Sequence, residues 1–138
     1  MRFDQRTSYA RGIQSRPKAG KRLIGGREVY FRSAWEANWA RYLQWLQERG
    51  EITGWEYEYE VFRFPVKRGT TEYRPDFCVV RKDWSLEYHE VKGWKHPKGQ
   101  TALKRMKLYY PEITVIVVDA KRYRAVAAQM RRIIPGWE

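Results

Sequence analysis

The chain has 138 residues, 43% of them hydrophobic and 16% aromatic, with 28 Lys and Arg against 16 Asp and Glu and a net charge of +12. That length supports a single core rather than two, and the charge implies a polyanionic partner, most simply nucleic acid, ahead of a membrane surface. No apolar run approaches the roughly eighteen residues of a membrane span, no signal-peptide core is present, and the lone Cys78 excludes an internal disulfide or a cysteine-rich zinc site, so a reducing cytoplasm is the expected setting.

Residues 1–32 carry nine basic side chains and two acidic ones, and Gly12, Pro17, Gly20, Gly25 and Gly26 interrupt them. They read as a mobile basic arm, ordered only near residues 29–31, whose Arg11, Arg16, Lys18, Lys21 and Arg22 contact phosphates; the bland alternative is a solvated tail. Residues 33–49 form the clearest helix, because Trp35, Trp39, Tyr42, Leu43 and Leu46 recur at spacings of three and four and Gly50 stops the run. Ser33 and Glu36 have capping-box spacing, so the Glu36 carboxylate has a purely structural partner available in the Ser33 backbone N–H.

Residues 52–65 alternate, placing Trp55, Tyr57, Tyr59 and Val61 on one face and Glu56, Glu58 and Glu60 on the other, which predicts a strand with an acidic solvated face turned away from nucleic acid. Two runs rich in Tyr, Phe and Val then flank Arg81, Lys82, Asp83 and Trp84, predicting a hairpin. Within it Cys78 reads as a small apolar packing residue, and His89 points away from the face of Glu90. After a loop holding Trp94 and His96, whose Lys95 and Lys98 are placed to contact substrate, residues 101–110 read as a helix with Lys104, Arg105 and Lys107 on a basic side. Residues 113–118 read as a strand buried on both faces, and residues 122–134 as a closing amphipathic helix.

Asp76 lies on the first strand of the predicted hairpin, and Glu90 and Lys92, two residues apart, share one face of the second. Two carboxylates and an ammonium converging at a sheet surface suit Mg²⁺, which takes one or two carboxylates and completes its shell with water and phosphate. A surface ion-pair group is the plain alternative. Pro75-Asp76 followed fourteen residues later by Glu90-Val91-Lys92 resembles the PD-(D/E)xK nuclease superfamily, and the order helix, three strands, helix, strand over roughly residues 33–120 resembles its core.

The resemblance implies an α/β, restriction-endonuclease-like fold (αβββαβ) in which a central mixed four-stranded sheet is flanked by helices, over residues 33–138. It implies Asp76 and Glu90 as metal ligands, Lys92 as the catalytic lysine, Glu36 as an additional acid and ligand, and Mg²⁺ as cofactor with Mn²⁺ able to substitute. A chain this short is similar to phage and archaeal Holliday-junction resolvases, which act as homodimers on branched DNA. Two further readings stay open: a nicking, repair or transposition-associated nuclease working with a partner, and a non-catalytic nucleic-acid-binding module of the same fold.

Overall fold

The computed structural model describes residues 18–91 and 97–138. Two strands, β1 (Gly20–Ile24) and β2 (Arg27–Phe31), pair antiparallel as a hairpin. Gly25 and Gly26 turn the chain with φ of +60° and +77°, the left-handed geometry a two-residue hairpin turn requires. A Cβ at Gly25 would also meet the end of the Gln44 side chain at 2.4 Å, so Gln44 would have to shift. Ile24 and Phe31 point inward and are buried in the main core. The reading of residues 20–28 as part of a mobile arm is therefore corrected, while 29–31 are ordered as expected: the alternation is present, but Lys21, Leu23, Glu28 and Tyr30 occupy the outer face and mask it.

Helix α1 (Ala34–Glu48) starts at Ser33, whose hydroxyl accepts the Glu36 N–H at 3.2 Å. It ends at Gly50 (φ +74°), where the Gly50 N–H reaches the Gln47 carbonyl and the Glu51 N–H reaches the Leu46 carbonyl, both at 2.9 Å. This is the paired C-terminal closure that a left-handed glycine permits.

The remaining strands are β3 (Ile52–Tyr57), β4 (Phe62–Arg63), β5 (Glu72–Tyr73), β6 (Phe77–Arg81), β7 (Leu86–Val91) and β8 (Val115–Val118), with α2 (Pro97–Tyr109) before β8 and α3 (Ala120–Met130) after it. The central sheet has the order β3-β6-β7-β8 and is mixed: β3, β6 and β7 run antiparallel in sequence, while β8 lies parallel to β7. β4 and β5 make a separate short hairpin. The expected continuous strand over residues 52–65 is thus broken. Glu58 adopts φ +50° and donates its N–H to the Asp76 carbonyl, which bends the chain out of the ladder, and Tyr59 is left exposed.

Alternation along β6 divides two cores. Phe77 and Val79 face the larger one with Phe31, Trp39, Leu43 and Trp55, while Cys78 faces the smaller one with Phe62, Tyr73, Tyr88 and Met106. With both faces covered, β6 is buried through Val79. Trp35 stacks on Tyr123 with centroids 4.0 Å apart, tying α1 to α3 across the larger core. β8 does not match the expectation of burial on both faces: it is an edge strand, and Val117 is exposed. Among the described residues no helix is long and apolar enough to cross a membrane.

Candidate metal and nucleic-acid site

Phe77 pairs with His89, so Asp76 and Glu90, one step further toward the same end of the ladder, come together. Both carboxylates are buried, Asp76 at 4% exposure and Glu90 at 6%. Pro75 offers no N–H and is itself buried, so the ladder starts only after Asp76. One Asp76 oxygen, Oδ2, accepts the Val91 N–H at 2.7 Å. Glu90 Oε1 accepts the Tyr73 hydroxyl at 2.7 Å.

Glu36 approaches from the first turn of α1 and is also buried. The capping-box expectation is half met, because Ser33 caps the helix while the Glu36 carboxylate does not return to the Ser33 backbone. Glu36 Oε1 instead accepts the Arg32 N–H at 3.2 Å and the Tyr57 hydroxyl at 2.5 Å. Burial pushes the Asp76 carboxyl well above the usual carboxylate range, and the charges of Glu90 and then Glu36 push it further, against the opposing Val91 N–H and Arg32. Burial also raises the Tyr73 and Tyr57 phenols, each reinforced by its carboxylate partner, so both stay protonated as donors.

Arg32 follows β2 and precedes the Ser33 cap. Its Nη2 lies 2.6 Å from Glu58 Oε2 and 3.4 Å from Asp76 Oδ1, with more than half of its side chain exposed. Burial works against its charge, yet Tyr57, Glu58, Glu36 and Asp76 together hold the guanidinium pKa above its ordinary value. Glu58 was expected on a solvated face away from nucleic acid. The left-handed backbone at that residue turns it toward the Asp76 cluster instead, and Glu60 accepts the Tyr88 hydroxyl.

Hard oxygen donors on buried carboxylates, two of which raise the proton affinity of Asp76, fit a divalent cation. Among the described residues no three His, Cys, Asp or Glu side chains already stand at metal-ligating spacing; Asp76, Glu90 and Glu36 are oriented instead by Val91, Tyr73 and Tyr57. The sequence reading missed Tyr57, Tyr73, Arg32 and Glu58. Only the two tyrosines carried a signal, as aromatic residues within or beside predicted strands.

Lys92, Lys95, Arg11, Arg16, Trp94 and His96 lie outside the described residues. Lys18, Lys98, Lys104 and Lys107 are exposed, as phosphate contacts must be, and Lys21 is exposed 3.6 Å from Glu28. Arg22 is a correction. Its guanidinium is largely covered and makes two bonds to the Glu138 carboxylate, at 2.7 and 2.8 Å, so it holds two segments of the chain together. On α2 the expected basic side is reduced as well, because Arg105 turns back to the carbonyls of Arg68 and Thr70.

His89 lies on the other face of β7 from Glu90, as the alternation predicts, and is buried. Trp39 Nε1–H donates to His89 Nδ1 at 3.0 Å, which leaves the ring proton on Nε2, 2.6 Å from Glu87 Oε2; Glu87 also accepts from Arg81. These residues border a cavity of about 270 Å³ between α1, α3 and the sheet. No protein-family model matches the chain, and no curated protein matches it.

Proposed function

We propose that this chain is a divalent-cation-dependent DNA endonuclease of the PD-(D/E)xK type, with Mg²⁺ as its ion and branched DNA, cut by a homodimer, as its substrate. The observation that carries the reading is the burial of Asp76 and Glu90 side by side with Glu36, in a chain of net charge +12. A protein that only binds a polyanion has no use for clustered buried carboxylates, which repel phosphate unless a cation stands between them. The restriction-endonuclease-like assignment is supported by the motif spacing and by the order α1, β3, β6, β7, α2, β8 around the mixed sheet.

Asp76, Glu90 and Glu36 would hold the ion, which when bound would neutralise charge at the scissile phosphate and polarise a water. Tyr73 and Tyr57, kept protonated, orient the Glu90 and Glu36 carboxylates. The Val91 N–H does the same for Asp76. Lys92 orients the attacking water or stabilises the charge developing on phosphate, in the role the motif implies. Exposed Lys18, Lys98, Lys104 and Lys107 supply contacts to the DNA backbone.

The test is a cleavage assay on four-way junction, nicked duplex and single strand, with and without Mg²⁺. Symmetric paired nicks confined to the junction are expected. Mg²⁺-dependent cutting of another substrate would keep the chemistry and replace the junction, and the absence of Mg²⁺-dependent cutting on all three would overturn the reading.

A further inference from the structure

We propose that Arg32 is a built-in placeholder for the divalent cation, holding the Asp76 carboxylate while the ion is away, and that Glu58 is the seat to which it withdraws. This inference rests on the reading of Asp76, Glu90 and Glu36 as ligands. Three features of the geometry support it.

First, the two Asp76 oxygens have different partners. Oδ2 is bound by the Val91 N–H at 2.7 Å, whereas Oδ1 faces Arg32 at 3.4 Å, so Arg32 stands over the oxygen that the backbone leaves for a ligand. Second, the Arg32 contact with Glu58 is the closer one, at 2.6 Å, and its side chain is 57% exposed. The guanidinium is therefore poised at the rim, able to leave Asp76 while keeping one partner. Third, Glu58 holds a left-handed backbone (φ +50°) that a glutamate rarely adopts, and its N–H is bonded to the Asp76 carbonyl. Observed strain of this kind is a pointer to function, and here it sets a fourth carboxylate beside the cluster with Arg32 between them. The backbone of Arg32 is clamped by the buried Phe31 before it and by its own N–H bond to Glu36, so only the side chain is free to swing.

A cation and a guanidinium in contact with one carboxylate oxygen compete, and partial exposure limits that competition to a few-fold. The probe is Mn²⁺ alone, titrated calorimetrically into metal-free protein at fixed pH and salt. Arg32→Gln should bind Mn²⁺ roughly fivefold more tightly than wild type, while Arg32→Lys, which keeps the charge, should bind like wild type. Glu58→Gln should bind more weakly, because Arg32 then settles on Asp76. The double variant should match Arg32→Gln within about twofold, since Glu58 acts only through Arg32.

Unchanged or weaker binding by Arg32→Gln overturns the placeholder role. A double variant as weak as Glu58→Gln also overturns it, by making Glu58 a ligand in its own right. If wild type and Asp76→Asn give the same isotherm, the ligand reading itself fails. Asp76-dependent binding without tightening in Arg32→Gln sinks the placeholder alone.

Discussion

Strand β7 carries two glutamates three residues apart, and they face different cores. Glu87 faces α1 and α3, bracketed by the Arg81 guanidinium and the His89 Nε2–H, with His89 in turn held by Trp39. Burial alone would raise its carboxyl, but His89 and Arg81 outweigh burial and bring it below the ordinary value. Glu90 faces the other core, beside a second buried carboxylate, and the outcome there is an Asp76 carboxyl pushed well up. A buried polar group that only specifies a fold is balanced in the manner of Glu87, whereas at Asp76 burial, Glu90 and Glu36 outweigh the Val91 N–H and Arg32. A carboxyl raised in this way marks Asp76 as a candidate functional group.

Exchanging the two sites experimentally gives the largest effect. Asp76→Asn should reduce Mg²⁺-dependent cleavage by roughly a thousandfold while leaving DNA affinity in a gel-shift assay intact or tighter. Glu87→Gln, on the same sheet, should cut at the wild-type rate. Equal rates for Asp76→Asn and wild type would erase the distinction between the sites.

Stability should respond in the reverse order. Glu87→Gln removes a charged acceptor from Arg81 and His89, at a cost of about 1.5–3 kcal/mol, seen as a lower Tm. Asp76→Asn should instead raise Tm by a few degrees in EDTA at pH 8, because it removes a charge that folding must desolvate. This gain should shrink toward pH 4. The folded Asp76 keeps its proton to higher pH than the unfolded chain, so it costs stability only as pH rises above the unfolded value of 3.8. A Tm difference independent of pH would refute that account.

The smallest effect is the acid limb of the wild-type protein, where Glu87 and His89 oppose Asp76 in sign. Burial lowers the His89 pKa from 6.5, so the unfolded state binds more protons below that value and stability falls as pH drops through it. The lowered Glu87 pKa adds a further loss below about 4.5. Trp39 fluorescence, reporting on the folded ring it donates to, should change only below pH 6.5, where the folded His89 itself takes up a proton. A thermal-denaturation profile flat from pH 7 to pH 5 would show that His89 is not the titrating group.

How much of this was legible beforehand varies along the chain, and the pattern has a cause. Helix α1 was readable to within a residue, from Ser33 to Gly50, because its cap, apolar spacing and glycine stop are all local. The β6–β7 hairpin was readable for the same reason, and its alternation already separated His89 from Glu90. The β1–β2 hairpin was missed: its alternating pattern is diluted by exposed Leu23 and Tyr30, and its inward residues gain a core only when α1 arrives. The break after β3 was missed because nothing in Glu56, Glu58 and Glu60 announces a left-handed residue; the bond from Glu58 to Asp76 imposes it from a distant segment.

Residue type and spacing by themselves thus determined a mixed α/β chain of strong positive charge and a strand pair able to bring Asp76 to Glu90, since these follow from short-range periodicity. Only the tertiary structure decided which charges are spoken for: Arg22 on Glu138, Glu87 between Arg81 and His89, and Arg32 between Glu58 and Asp76. The physical reason is that a charge takes its character from neighbours that are remote in sequence. Burial, the opposing ion and the proton affinity of a carboxylate exist only once those neighbours have been packed together.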